Sequence, residues 1–258
     1  MVMIKRTLIV EKTKLKLKNG YLLVGLPGIG LIGKTVVDYL VKELGAKKVA
    51  DIYSHYFPHQ VFMTKSGILR PIRNSFYHIK AGKNDLVFLT GDVQALTSTG
   101  QYEIACRVVD YAKSIGVSTI LSIGGYGSGK VEGKKEIFGL VTHKEMIPEL
   151  QKQGIIFGKA RGSIIGAAGL IPTFAKPAGL KGLCVLGETH GAYVDPTMAK
   201  EVVVLLSKYL SFNIDLGQLD KKAKEGEKII KQIEEEIKKA SGVQQPTDFG
   251  NRDVSYIR

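Results

Sequence analysis

What this sequence lacks narrows it before any motif is read. No stretch approaches the roughly 18 to 20 apolar residues that cross a bilayer. The opening MVMIKRTLIVEK has neither the apolar segment nor the small-residue cleavage site of a secretory leader. Both absences predict a soluble, cytoplasmic protein. The only cysteines, Cys106 and Cys184, are spaced neither as a redox pair nor as a metal knuckle, which excludes a disulfide framework and fits a reducing compartment. With 44% hydrophobic and 24% charged residues, the chain also lacks the bias of a disordered or fibrous sequence. Its 258 residues suffice for one large α/β domain. Glycine is the excess: 30 residues, about 12% against an average near 7%.

Acids are scarce relative to bases, 24 against 37, and the net charge of +13 raises the possibility of an anionic partner such as nucleic acid. The distribution argues otherwise. Residues 215–239 balance seven lysines against seven acids, so the surplus lies earlier, most densely where Lys5, Arg6, Lys12, Lys14, Lys16 and Lys18 face only Glu11. The alternation in LysLeuLysLeuLys predicts a strand with a lysine face, which protects a sheet edge. No zinc spacing, aromatic RNA-binding stretch or arginine-rich arm accompanies it.

Along the chain, TyrLeuLeuVal (21–24) leads into GlyLeuProGlyIleGly and a helical pattern to about Leu44, which is strand, glycine turn and helix. Period-two alternation between Val49 and Lys80 predicts antiparallel strands. LeuValPheLeuThr (86–90), ThrIleLeuSerIle (119–123) and GlyLeuCysValLeuGly (182–187) are buried strands. Helices are expected over 100–115, 145–153 and from Asp195-Pro196 to about Leu210, with Asp195 as cap. Gly154 to Gly179, rich in Gly and Ala, reads as a close-approach region. Leu216, Leu219, Ala223, Gly226, Ile230, Ile233 and Ile237 alternate spacings of three and four, a heptad seam that predicts a helix packed on its own chain or on a partner. The sequence therefore divides into an α/β core (1–214), a heptad-patterned helix (215–240) and an extended tail (241–258).

Several residue sets could carry chemistry. Gly28, Gly30 and Gly33 form a dinucleotide-type turn and, with Lys34 and Thr35, also match a phosphate-binding P-loop. Against both, Gly25, Leu26 and Pro27 separate strand from loop, Leu and Ile fill it, and Asp51 falls within its own strand rather than at its end. Asp92 could hold magnesium, and Gly124 to Gly129 with Lys130 could cradle an anion. His55 and His59 are four apart, but Pro58 between them opposes a helical metal pair. Glu188, His190 and Asp195 follow a buried strand where α/β proteins place acid-base groups. No metal, cofactor or nucleophile setting emerges from these patterns.

Taken in order, GlyLeuProGlyIleGlyLeuIleGlyLys, ThrGlyAspValGln, SerIleGlyGlyTyr, GlyAlaAlaGlyLeu (166–170) and LeuGlyGluThr before ValAspPro resemble the proteasome-assembly-chaperone family, particularly its archaeal members, over residues 1 to about 240. The resemblance implies a three-layer α/β/α sandwich similar to nucleoside phosphorylases, a helical C-terminal extension, homo-oligomers and no recognised catalysis. It also implies a proteasome partner engaged by a C-terminal hydrophobic-Tyr-X motif at the α-subunits. This chain ends Tyr256-Ile257-Arg258, one place out of that register, so the ring and terminal carboxylate are separated differently by about 3.5 Å. The expectation is a non-enzymatic assembly or activation factor with Tyr256, Ile257 and Arg258 as its docking element. The alternatives are a nucleotide-binding or phosphorylase-like enzyme using Gly28–Thr35 and a basic nucleic-acid-binding protein.

Overall fold

A computed structural model describes residues 6–129, 134–221 and 223. Eight strands form one mixed sheet. They are β1 (Leu8–Glu11), β2 (Gly20–Gly25), β3 (Lys47–Tyr53), β6 (Asn74–Ala81), β7 (Asn84–Gly91), β8 (Val117–Gly127), β9 (Ile137–Val141) and β10 (Lys181–Thr189). The order across the sheet is β1-β3-β6-β7-β2-β8-β10-β9. The central four, β7, β2, β8 and β10, are parallel, and antiparallel pairs flank them on both sides. The parallel strands are the continuous apolar runs of the sequence, because helices cover both of their faces. The hairpin β4 (Val61–Met63) and β5 (Leu69–Pro71) forms a separate two-stranded sheet.

Alternation along each strand sends its side chains to two cores. Leu22, Val24, Val87, Leu89 and Ile120 pack against α2 (Ser98–Ser114) and α4 (Ala167–Ala175). Leu23, Leu86, Phe88, Leu121, Leu183 and Val185 pack against α1 (Ile32–Glu43), α3 (Ile147–Lys152) and α5 (Pro196–Tyr209). This is the expected α/β/α sandwich. Asp195 caps α5 as expected, accepting from the Met198 N–H at 2.9 Å with Pro196 at the first helical position.

Two expectations need correction. Residues 14–18 form no strand: Leu15 and Leu17 do face the core while the lysines face out, but Leu17 N–H donates to the Ile115 carbonyl beyond α2, at 2.7 Å, instead of joining a ladder. The edge strand is β1, which pairs with β3. The Gly154–Gly179 region is also not uniformly close-packed. Gly154, Gly158 and Gly179 adopt positive φ in open space, serving turns, while Gly166 and Gly169 meet close neighbours, around the start of α4.

Of the heptad positions, only Leu216, Leu219 and Ala223 fall within the described residues. Leu219 is fully buried in the core that α1 and α5 share, and residues 217–221 are helical. The Tyr39 hydroxyl donates to the Asp215 carbonyl at 2.5 Å, Lys42 to Gln218 Oε1 at 2.7 Å, and Lys200 pairs with Asp220 at 2.7 Å. The start of the seam therefore packs on its own chain.

Candidate functional site

In an open parallel sheet, ligands bind where neighbouring strands send their connections to opposite faces. Here β2 runs into α1 on one face and its neighbour β7 runs into α2 on the other, where α4 also packs over β8. β8 also outruns β2: their last register pair is Val24 with Ser122, yet β8 continues to Gly127. A cavity of about 210 Å³ lies at that crevice. Val24, Leu26, Ile29, Ile123, Leu140, Ile164, Ile165 and Leu186 give it apolar walls, and Gly28, Gly33, Gln94, residues 124–127 and 160–163, Ala167 and Ala168 complete its lining.

Glycines bring these walls together. A Cβ on Gly33 would lie 2.2 Å from the Ile123 carbonyl oxygen, and one on Gly25 2.0 Å from the Gly33 oxygen, so α1 touches β2 and β8 backbone to backbone. Gly30 turns with φ 61°, and its carbonyl accepts from Asp195 N–H at 3.0 Å. Gln94 ties the crevice across its mouth: its Nε2 donates to the Pro27 carbonyl at 2.6 Å, and its Oε1 accepts from Ala167 N–H at 2.9 Å. Ser122 Oγ donates to the Ala168 carbonyl at 2.5 Å, fixing α4 over β8.

The P-loop residues do not converge on one ligand position. Gly28 and Gly33 line the cavity, but Lys34 sits on the outer side of α1, with its Nζ 2.7 Å from Asp38. Thr35 lies half-buried behind it, outside the cavity lining. The backbone amides a phosphate would require are engaged in part by the protein itself: Leu31 N–H donates to the Gly28 carbonyl at 2.9 Å.

The other sequence candidates are structural partners. Asp92 accepts two hydrogen bonds from Arg70, at 2.7 and 3.1 Å, and one from Arg73 N–H at 3.0 Å. Burial pushes its carboxyl up, but these contacts outweigh that and hold it below the usual carboxylate range. Asp51 is buried within β3; burial is again the largest influence, opposed by hydrogen bonds from Ser75, Lys12 and Lys48 that together lower its pKa. Arg73 adds a fourth neighbour, with Nε at 3.7 Å. Asp195 is buried, accepting from Lys135 Nζ at 2.7 Å and Thr189 Oγ1 at 2.9 Å besides capping α5. Glu188 accepts from Glu136 N–H at 3.0 Å. His190 stacks on Tyr193 with ring centroids 5.2 Å apart. These three are engaged separately in holding the end of β10.

His55 packs on the Tyr56 ring, with centroids 3.9 Å apart. Among the described residues no three His, Cys, Asp or Glu side chains gather as a metal site, and no helix is long and apolar enough to cross a membrane. Burial pushes the Cys184 thiol up to about 11, which disfavours its thiolate. Gly124, Gly125 and Gly127 belong to β8, and Gly129 turns in open space. Lys130, Tyr256, Ile257 and Arg258 lie outside the described residues.

Sequence reasoning missed Arg161 and the bridging role of Gln94. Gln94 was visible within ThrGlyAspValGln but carried no chemical signal by itself. Arg161, two residues after Lys159 and beside Gly162, carried no motif that set it apart.

A model of the PAC2 family matches residues 22–234. An uncharacterized protein of Methanocaldococcus jannaschii is 35% identical over 244 residues, covering 93% of each chain. The crystal structure of Pyrococcus furiosus PbaB, described as an archaeal proteasome activator, superposes with TM-score 0.83 at 34% identity, covering 89% of this chain and 99% of that one. Pyrococcus furiosus PbaA, described as an archaeal homolog of proteasome-assembly chaperone, gives TM-score 0.75 at 30% identity, covering 92% and 95%. With the glycine turns, the sheet order and the family match extending together along most of the sequence, this chain belongs to the PAC2 family.

Proposed function

We propose that this chain is a non-enzymatic, cytoplasmic assembly or activation factor of the proteasome, working as a homo-oligomer and docking on proteasome α-subunits through Tyr256, Ile257 and Arg258. The observation that carries this reading is the likeness to the proteasome activator PbaB over nearly its whole length, at 34% identity. Two features of the molecule support a role in protein contact. The candidate acids are spent on internal hydrogen bonds, and the β4–β5 hairpin presents Val61, Phe62, Met63, Ile68 and Leu69 to solvent. An apolar cluster of that kind on a soluble surface marks a place for another protein.

The test is peptide hydrolysis by a purified archaeal proteasome core, titrated with the full-length protein and with a version ending at Val254. We expect stimulation by the full chain and its loss on truncation. Equal effects from both would remove the tail as docking element. No effect from either, beside a working activator, would remove the activator role and leave assembly. Sedimentation of the same two proteins reads the homo-oligomer, and a monomer mass would overturn that part.

A further inference from the structure

We propose that the crevice between β2 and β8 is a binding site for a small carboxylic acid with a compact apolar body, such as a branched or aromatic acid. The cavity there is about 210 Å³. A cavity of about 150 Å³ accommodates benzene, so by proportion this one takes roughly eight non-hydrogen atoms. Its walls suit an apolar body: Val24, Leu26, Ile29, Ile164 and Leu186 enclose it, and the Gln94 amide is already committed at both ends, to the Pro27 carbonyl and the Ala167 N–H.

The sign of the polar group follows from Arg161. It is the one charged side chain among the described lining residues, it is exposed at the rim, and it takes part in no ion pair among the described residues. A guanidinium at the edge of an apolar cavity selects a planar anion, which it can hold bidentately. A cation would be repelled there, and a neutral group would leave Arg161 without an ionic partner. The C-terminal residues of this chain are a poorer fit, since Arg258 would bring a second guanidinium to the same rim. This site does not rest on the proteasome reading.

The full-length protein is titrated calorimetrically with phenylacetate and with its neutral isostere phenylacetamide. The ring fills the cavity and the carboxylate reaches the rim. We expect phenylacetate to bind at least tenfold more tightly than the amide. Arg161→Gln should bring the acid down to the level of the amide while leaving the amide unchanged. Ala160→Leu, which narrows the cavity from its half-buried wall, should weaken both, with circular dichroism reporting the fold of each variant. No binding of either probe at 10 mM, equal binding of acid and amide, or undiminished acid binding by Arg161→Gln would each overturn the assignment.

Discussion

Two neighbouring regions on the same edge of the sheet are built in opposite ways. At the ends of β2 and β8, contact is made by backbone: Gly25 and Gly33 remove side chains so that α1 lies directly on the strands, and an apolar cavity with Arg161 at its rim opens beside them. Within β3 and just beyond β7, contact is made by charge: Asp51 meets Lys12, Lys48 and Arg73, and Asp92 meets Arg70. The Gly25 and Gly33 contacts of the first region leave no room for a side chain and involve no ionisable group. The second depends on the ionisation of its carboxylates, whose pKa values its cations and hydrogen bonds lower. A single sheet edge thus separates a region shaped for contact with an apolar group from one that holds the antiparallel flank in place.

The sharpest way to break this contrast is Gly33→Ala. Its methyl would meet the Ile123 carbonyl at 2.2 Å, and neither backbone can withdraw without parting helix from sheet. A loss of about 3 kcal/mol or more is expected in denaturant titration. A loss under about 1 kcal/mol would show that α1 is not clamped there.

Next comes Asp51→Asn, which leaves Lys12, Lys48 and Arg73 around a neutral amide and should cost about 3 kcal/mol at pH 7. Its pH dependence has a definite sign. The Asp51 pKa is lowered in the folded protein, so its stabilisation is fully present above the unfolded value near 3.9 and is lost as pH falls through the lower folded value. Native protein and variant should therefore converge in stability as pH drops below about 4. A difference that persisted unchanged in acid would assign the cost to packing instead.

The smallest effect belongs to Lys34→Ala. The Lys34–Asp38 pair is an i,i+4 contact near the surface, worth no more than about 0.5 kcal/mol. Millimolar Mg-ADP should leave the melting temperature of both proteins unmoved. A rise in the native protein that Lys34→Ala abolished would restore Gly28–Thr35 as a phosphate site.

Much of the frame was legible in the sequence because it rests on local rules. The four parallel strands are apolar runs long enough to be buried on both faces, and each is bounded by glycine. Asp195-Pro196 announces α5 by capping chemistry alone. Gly28, Gly30 and Gly33 were visible as a turn, but the same glycines serve a phosphate loop or a tight crossing, and only their neighbours distinguish the two. Residues 14–18 show the limit from the other side: period two described their facing correctly while the ladder it implied was absent.

By itself, the sequence determined the α/β class, the parallel core, the cap of α5 and, through its ordered motifs, the family. Only the tertiary structure decided that Lys34 points away from the cavity, that Asp92 belongs to Arg70, that the heptad seam begins against α1 and α5, and that residues as distant as Val24, Gln94, Arg161 and Leu186 share one cavity. The reason is physical. Strand, helix and cap preferences act between residues a few places apart, whereas a cavity or an ion pair exists only where distant segments meet, and no local pattern records that meeting.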